Sequence, residues 1–368
     1  MKIGIITITE GENYGNRLQN YAVQEYLKNY KNTTIETIHN YKNQSIKEYK
    51  KNEIKNKIKT YIKIIIGYKR KNNYNLLKRE KNFKKFDKQY INYSKFKISN
   101  KDINKNINLY YDYFICGSDQ IWNSNFEEND FVNFLQFADS EKRIAFAPSF
   151  GTDQISERKV KKYSKWLKEI PYLSIREERG KEIINELTGR NDVKVLVDPT
   201  MLISEKEWLK IAKKPKKLRN NKYILTYFLG RLSEKRKSEI NRVAIENNCE
   251  VINILDKNNS FYQCGPSEFL YLLKNAFLIC TDSFHSCVFA IIFNRPFIIF
   301  DREDKNIKMN SRIETLLKKF ELEDRWYKDS ISKKMFQSNY NNAYKILEKE
   351  RKKAKEYLDY SIEKKEET

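Results

Sequence analysis

The feature that most constrains this chain is an alternation of short apolar runs, rich in Ile, Val and Thr, with segments of helical periodicity. The first run covers residues 3–8 and precedes a Gly- and Asn-containing loop, after which apolar residues recur at helical spacing from Leu18 to Leu27. Further strand-like runs lie at 111–116, 143–147, 193–197, 223–227, 251–255, 277–280 and 296–300. This alternation predicts an α/β fold built on parallel sheets.

The length of the chain predicts two domains, because 368 residues exceed the size at which single cores usually stop growing. We expect Rossmann-like domains at 1–205 and 222–335, facing each other across a cleft, and a C-terminal helix at 341–363. The boundary follows from residues 206–221, which are polar, basic and contain Pro215.

Residues 41–90 are dense in Lys, Asn and Tyr and predict a basic helical insertion in the first domain. Residues 61–66 form a short apolar kernel within it. One interpretation is an amphipathic element that touches an anionic membrane or a lipid-linked acceptor. The other is a helical pair that packs on the first domain.

The formal charge is +23, from 72 Lys and Arg against 49 Asp and Glu. Such a charge is compatible with nucleic acid, an anionic membrane surface or an anionic substrate as partner. However, Lys, Asn, Ile and Tyr are enriched together along the whole chain, which favours a general compositional bias over a selected binding face. We therefore expect no nucleic-acid partner.

The five cysteines are odd in number and widely spread, and the chain has only two histidines, His39 and His285. Buried free thiols are the expectation, and a Cys and His zinc site is not. We expect no metal and no cofactor. The opening run is too short for a signal peptide, and no stretch of 18 apolar residues occurs, so we expect a cytoplasmic protein with reduced thiols.

Three loops that follow predicted strands are polar and lead into helices, which is what an anion site at a helix N-terminus requires. They are Gly15-Asn16-Arg17, Gly117-Ser118-Asp119 and Thr281-Asp282-Ser283-Phe284-His285. Ser118 and Asp119 could equally be helix caps.

His285 and Arg176 are candidate functional residues for chemical reasons. The ring of His285 can exchange a proton near neutral pH, although a capping or packing role is the alternative. Arg176 ends a strand-like segment, and its planar fork suits phosphate or carboxylate; an ion pair with Glu177 or Asp198 is the alternative. His39 lacks such a context and is predicted to be structural.

These loops, taken in order, resemble the polysaccharide pyruvyltransferase family over about residues 1–320. The matching motifs are Asn13-Tyr14-Gly15-Asn16-Arg17-Leu18-Gln19-Asn20-Tyr21-Ala22, Gly117-Ser118-Asp119-Gln120-Ile121-Trp122-Asn123, Ser174-Ile175-Arg176-Glu177, Asp198-Pro199-Thr200, Thr281-Asp282-Ser283-Phe284-His285 and Asn310-Ser311-Arg312-Ile313. The combination is specific, although no single motif is.

The resemblance implies a GT-B-like fold and transfer of pyruvate from phosphoenolpyruvate, as co-substrate, to two hydroxyls of one sugar. The acceptor would be a surface polysaccharide or its lipid-linked precursor, with contact to the inner membrane surface as a further possibility. His285 would be the catalytic acid or base. Donor binding would fall to Arg176, Ser283, Arg312, Asn16, Gly117 and Ser118, and acceptor binding to Asp119, Asn13 and Arg17.

The chain departs from the family pattern beside the histidine. Many members have an arginine two residues before it and a glycine after it, where this chain has Ser283 and Ser286. Arg17, Arg302 or Arg312 could neutralise the donor instead, and Arg312 ranks first because its own motif matches.

Two other functions compete with this interpretation. The first is a GT-B glycosyltransferase that uses a nucleotide sugar, with Glu268 as a ribose acceptor. The second is a non-catalytic protein that binds an anionic polymer through its positive charge.

Overall fold

The computed structural model describes residues 1–41, 44–67, 70–104, 106–126, 130–219, 221–303, 311–338, 340 and 342–363. The strands are β1 (Lys2–Ile6), β2 (Thr34–Asn40), β3 (Tyr93–Ile98), β4 (Tyr113–Cys116), β5 (Arg143–Ala145), β6 (Tyr172–Ile175), β7 (Lys194–Val195), β8 (Tyr223–Tyr227), β9 (Glu250–Asn253), β10 (Leu278–Thr281) and β11 (Phe297–Ile299).

The helices are α1 (Tyr14–Leu27), α2 (Ile46–Ile65), α3 (Arg70–Tyr90), α4 (Ile107–Tyr110), α5 (Asp130–Asn133), α6 (Glu157–Lys168), α7 (Glu178–Thr188), α8 (Glu205–Ile211), α9 (Glu234–Glu246), α10 (Pro266–Asn275), α11 (Phe284–Ile292), α12 (Ser311–Phe320) and α13 (Ala343–Glu363). Short 3₁₀ turns occur at Ser140–Lys142, Pro199–Leu202, Ser260–Gln263, Glu323–Arg325 and Lys333–Phe336.

The described strands form two parallel sheets. The first has seven strands in the order β3-β2-β1-β4-β5-β6-β7, and the second has four in the order β11-β10-β8-β9. Their central strands are fully buried, as expected for parallel sheets covered by helices on both faces. The predicted α/β class with two Rossmann-like halves around a cleft is confirmed, and the arrangement is GT-B-like.

The strand orders explain where the cleft lies. In each sheet the order reverses beside the first strand, between β1 and β4 and between β8 and β10. In open parallel sheets the crevice at such a reversal, beyond the carboxyl ends of the strands, is where ligands bind. The loops after these four strands come together at one place, so the topology gives both halves a share of one site.

Residues 41–90 contribute α2 and α3 between β2 and β3. Helix α3 packs on both halves, because Arg79 donates to the carbonyl of Glu12 (3.0 Å) and to that of Tyr262 (3.1 Å). Arg79 also donates to the hydroxyl of Tyr14 (2.6 Å), which in turn donates to the carbonyl of Cys264 (2.8 Å). The insertion is therefore part of the contact between the halves.

The C-terminal helix α13 returns to the first sheet. Tyr357 donates its hydroxyl to the carbonyl of Ala145 (2.7 Å), and Tyr113 of β4 donates to the carbonyl of Ile362 (2.7 Å). Within the ranges given above, no helix is long and apolar enough to cross a membrane.

Candidate active site

A cavity of about 460 Å³ lies between the two halves, at the reversal points of both sheets. The first half contributes the loops after β1 and β4 and the end of β2, and the second contributes the loops after β8, β10 and β11 together with α12. The main polar side chains that line it are Thr7, Thr9, Glu10, Asn13, Asn16, Asn40, Asp119, Gln120, Asn133, Ser283, His285, Arg302 and Arg312.

His285 lies in the first turn of α11 and faces the first turn of α1 across the cleft. The two helices approach so closely that a Cβ at Gly15 would lie 2.1 Å from Nδ1 of His285. Only glycine leaves this space open. The side chain is 8% exposed, so it is held almost wholly within the protein.

Asp198 lies on the other side of the His285 ring, with its Oδ2 3.5 Å from Nε2. The same oxygen accepts from Arg176 Nη1 (2.5 Å) and Ser118 Oγ (3.1 Å). Its Oδ1 accepts from the backbone N–H (3.0 Å) and the hydroxyl (2.7 Å) of Thr200. Burial opposes the charge of Asp198, but His285 and Arg176 outweigh it and hold the pKa of that carboxyl well below its usual range.

Arg176 is buried behind the cavity wall. Besides Asp198, its guanidinium faces Asp119, with Nη2 3.6 Å from Oδ1, and it lies 4.4 Å from the centre of the Phe284 ring. The ion pair with Asp198 that the sequence offered as the alternative for Arg176 is therefore present.

Glu177 and Arg312 add two more buried charged groups of opposite sign to the cluster. Glu177 accepts from the Ser149 hydroxyl (2.9 Å) and from the backbone N–H of Phe150 (2.9 Å). Burial raises the pKa of Glu177 although Arg176 and Arg312 oppose the shift. Burial, together with the charge of Arg176, lowers the pKa of Arg312 to about 10, which leaves it protonated at neutral pH.

Several polar atoms of this cluster make no hydrogen bond, although two of them face a charged group at 3.5–3.6 Å. Within the described part of the chain, Nε2 of His285, Nε and Nη2 of Arg176 and Oε2 of Glu177 are buried without a hydrogen bond. Such atoms are rare in native proteins and are typical of sites where function takes precedence over stability.

The loop after β4 is fixed by close contacts. Gly117 has φ +150°, and a Cβ there would lie 2.0 Å from the carbonyl oxygen of Phe146. The next backbone N–H, that of Ser118, donates to Oε1 of Gln19 (2.9 Å), and the Ser118 hydroxyl donates to the carbonyl of Ala147 (2.8 Å). These contacts orient Ser118 toward Asp198.

The structure separates the predicted site residues into two groups. Six line the cavity, namely Asn13, Asn16, Asp119, Ser283, His285 and Arg312. The other four stand outside its lining. Gly117, Ser118 and Arg176 lie behind the wall, and Arg17 forms an ion pair with Asp87 of α3 (3.0 Å) in a neighbouring groove. Asn310 of the last motif lies outside the described residues.

Several residues that the structure brings to the site had no role predicted from the sequence. Asp198 appeared only as a motif residue and a possible partner of Arg176, although it contacts His285. Asn40 and Glu10 also line the cavity. Glu10 lies in the loop after β1 and Asn40 is the last residue of β2, a strand that was not predicted. Among the described residues, no group of three or more His, Cys, Asp or Glu is placed to hold a metal ion.

Comparisons with known proteins agree with one family. The family described as polysaccharide pyruvyl transferase matches residues 13–304, which is most of the chain. No curated protein sequence matches the chain.

Two solved structures resemble the chain in overall arrangement. UDP-GlcNAc 2-epimerase from Neisseria meningitidis, bound to UDP-GlcNAc, has a TM-score of 0.49 and 12% identity, over 96% of this chain and 94% of that one. UDP-GlcNAc 2-epimerase from Methanocaldococcus jannaschii has a TM-score of 0.48 and 16% identity, over 95% and 92% of the two chains.

Proposed function

The chain belongs to the polysaccharide pyruvyl transferase family and is a transferase, and from this premise we propose that it transfers pyruvate from phosphoenolpyruvate to two hydroxyls of one sugar. The product is a cyclic ketal in a surface polysaccharide or its lipid-linked precursor. The observation that carries the proposal is the position of His285, paired with Asp198, in a cavity that Arg302 and Arg312 also line.

The reaction has two additions at one carbon. In the first, a sugar hydroxyl bonds to C2 of phosphoenolpyruvate while C3 gains a proton and becomes a methyl group. In the second, a neighbouring hydroxyl bonds to C2, the bond from C2 to the phosphate oxygen breaks, and inorganic phosphate leaves. Each hydroxyl loses its proton, and the first step needs an acid for C3.

His285 is the proposed proton carrier. Asp198 faces Nε2 and stabilises a positive ring, as the carboxylate does in catalytic triads. Gly15 packs against Nδ1 and holds the ring where it lines the cavity, and there the ring is proposed to exchange a proton with the substrate.

The donor carries a phosphate and a carboxylate, which need positive charge. Arg312 and Arg302 line the cavity, and the first turn of α11 begins there at Ser283 and Phe284. Arg176 contributes its charge from behind the wall and positions Asp198. This division of roles supports Arg312 as the residue that neutralises the donor in place of the missing family arginine.

The alternative donor, a nucleotide sugar, has less support from the structure. The sequence suggested Glu268 as a ribose acceptor. In the structure it accepts a hydrogen bond from the backbone N–H of Gly265 (3.1 Å) and caps the N-terminus of α10. Oε2 of its carboxylate is therefore already used as a hydrogen-bond acceptor in this helix cap.

Helix α2 supports a further part of the proposal, contact with an anionic membrane surface. Ile54, Ile58, Tyr61 and Ile65 follow one another at helical spacing and are all at least half exposed. Lys55, Lys59 and Lys63 are exposed beside them. An exposed apolar stripe flanked by lysines is typical of helices that lie on anionic membranes. We also propose a cytoplasmic location, which the five free cysteines support.

The test of the donor is direct. Purified protein is heated with phosphoenolpyruvate, UDP-sugars and CMP-sugars in separate samples, because a ligand that binds the folded state raises the melting temperature. A shift with phosphoenolpyruvate that His285→Ala retains, together with phosphate release that it abolishes, supports the proposal. A shift with a nucleotide sugar alone contradicts it.

A further inference from the structure

A second concave surface, which we call the aromatic groove, adjoins the reaction cavity. It encloses about 390 Å³ and lies between strands β2 and β3 on one side and helices α2 and α3 on the other. Four residues line both spaces, namely Thr9, Glu10, Gly11 and Asn40. The two are therefore neighbouring parts of one surface, and a long ligand can occupy both.

A row of rings runs along the groove from β3 to α2. Tyr93 stacks on His39, with ring centres 4.1 Å apart and planes 4° from parallel. His39 is followed by Tyr41 at 6.0 Å, and Tyr41 by Tyr49 at 4.5 Å. All four rings are only partly buried. Burial, and then the charges of Lys97 and Arg17, lower the pKa of His39 to about 4, so its ring is neutral at pH 7.

Charged side chains of α1, α2 and α3 also line the groove and hold one another in place. Lys84 donates to Glu80 (2.8 Å) and to Glu53 (3.1 Å), and Arg17 pairs with Asp87 (3.0 Å). These carboxylates keep oxygens that can accept hydrogen bonds from hydroxyl groups.

The charge of the groove differs from that of the reaction cavity. Five carboxylates line it (Glu10, Glu12, Glu53, Glu80 and Asp87) against two cations, Arg17 and Lys84. In a chain with a net charge of +23, this is a local excess of negative charge. It disfavours an anionic ligand such as phosphoenolpyruvate or a nucleotide, and it suits an uncharged ligand rich in hydroxyls.

Flat rings beside fixed hydrogen-bond acceptors match the two faces of a sugar. The rings pack against its C–H groups, and the carboxylates accept hydrogen bonds from its hydroxyl groups. We propose that the aromatic groove binds the uncharged saccharide unit next to the one that receives pyruvate, so that the acceptor is an oligosaccharide. This inference rests on the proposed function and assigns the neighbouring unit a place beside the reaction cavity.

The experiment uses the full chain and a panel of neutral mono-, di- and trisaccharides on a glycan array. For each glycan that binds, the dissociation constant is then measured in solution beside that of its terminal monosaccharide. We expect the oligosaccharide to bind at least about tenfold more tightly than the monosaccharide. Tyr49→Ala should remove this difference, and Tyr41→Ala, a second variant in the same row, should reduce it. The matched control is Tyr344→Ala, which removes a 69% exposed tyrosine from α13 and should leave the difference unchanged.

The outcomes separate this inference from the proposed function. The melting shift with phosphoenolpyruvate is measured on the same variants and should be equal in wild type and Tyr49→Ala. If phosphoenolpyruvate gives no shift in wild type, the proposed donor is wrong, whatever the glycans do. If the donor binds but no oligosaccharide binds more tightly than its monosaccharide, or a UDP-sugar competes for the groove, the oligosaccharide site is overturned. Retention of the full difference in folded Tyr49→Ala and Tyr41→Ala also overturns it.

Discussion

Gly15 and His285 belong to different halves of the molecule and touch at the cleft, with a virtual Cβ of Gly15 2.1 Å from Nδ1 of His285. The contact ties the start of α1 to the start of α11. It explains why a glycine follows Tyr14, since any side chain there would displace the ring.

Gly15→Ala should therefore lower kcat by about 100-fold, since displacing a catalytic group by roughly 1 Å has an effect of this size. His285→Ala and the double variant complete a cycle that shows whether both changes act through one ring. Steady-state phosphate release is the measurement. Gly4→Ala is the control, because its Cβ would also meet a side chain, Ile38 Cδ1 at 2.7 Å, but on β1 and outside the cavity lining. Equal losses in the two glycine variants would contradict the special role of Gly15.

Arg312→Gln should weaken phosphoenolpyruvate binding about 10- to 100-fold, because a hydrogen bond between charged groups contributes roughly 1.5–3 kcal/mol. Calorimetric titration measures this. Arg312→Lys keeps the charge but loses the planar fork, so it should restore binding only in part. Arg242→Gln, on the exposed side of α9, serves as control and should bind the donor like wild type. Unchanged affinity in Arg312→Gln would remove this residue from the donor site.

Glu177→Gln should raise stability at alkaline pH but not at acid pH. Burial raises the pKa of Glu177, so the folded protein retains this proton to a higher pH than the unfolded chain does. Charging Glu177 then lowers stability, and the loss develops as pH rises above the unfolded value of about 4.3. The urea midpoints of variant and wild type should coincide near pH 4 and diverge by pH 8, with the variant higher.

The control for this comparison is Glu234→Gln, which removes a side chain at the start of α9 that is 87% exposed. Its midpoint should differ from wild type by the same small amount at both pH values. A wild-type protein that is more stable than Glu177→Gln at pH 8 would show that the charged carboxyl stabilises the cluster instead.

Ile65→Glu should reduce binding to vesicles that contain anionic phosphatidylglycerol. The side chain is 82% exposed on α2, so the change should leave folding intact. Ile245→Glu is a closely matched control, because Ile245 is also 82% exposed but lies at the end of α9. Co-sedimentation at low and high salt is the measurement. Equal binding of the two variants to anionic vesicles would contradict a specific role for α2. So would wild-type protein that binds vesicles of phosphatidylcholine alone as well as it binds anionic ones.

The central strands were predictable because each is a short apolar run that ends in a polar loop. β2 and β3 were not, because polar residues interrupt their apolar runs, as Glu36 and Thr37 do in β2. β3 is the edge strand of its sheet and carries Lys95 and Lys97, so it lacks a continuous apolar run. The predicted loop 281–285 overlaps the start of α11, which begins at Phe284.

The site was predictable in part. His285 was found because it is one of two histidines and follows an apolar strand. Its contact with Asp198 depends on how the two sheets face each other, and no spacing along the sequence encodes that. The same holds for Gly15. Its motif could be recognised in the sequence, but its contact with His285, which is far away along the chain, could not be predicted.

Helix α3 bears on how the whole chain unfolds. Arg79 joins Glu12 to Tyr262, and Asn75 and Asn82 donate to the carbonyls of Lys257 and Gln263. A segment inserted in one sheet thus stabilises its contact with the other. The two halves should consequently lose their structure in a single cooperative transition, and substrates should enter through the mouth of the cavity without the halves separating.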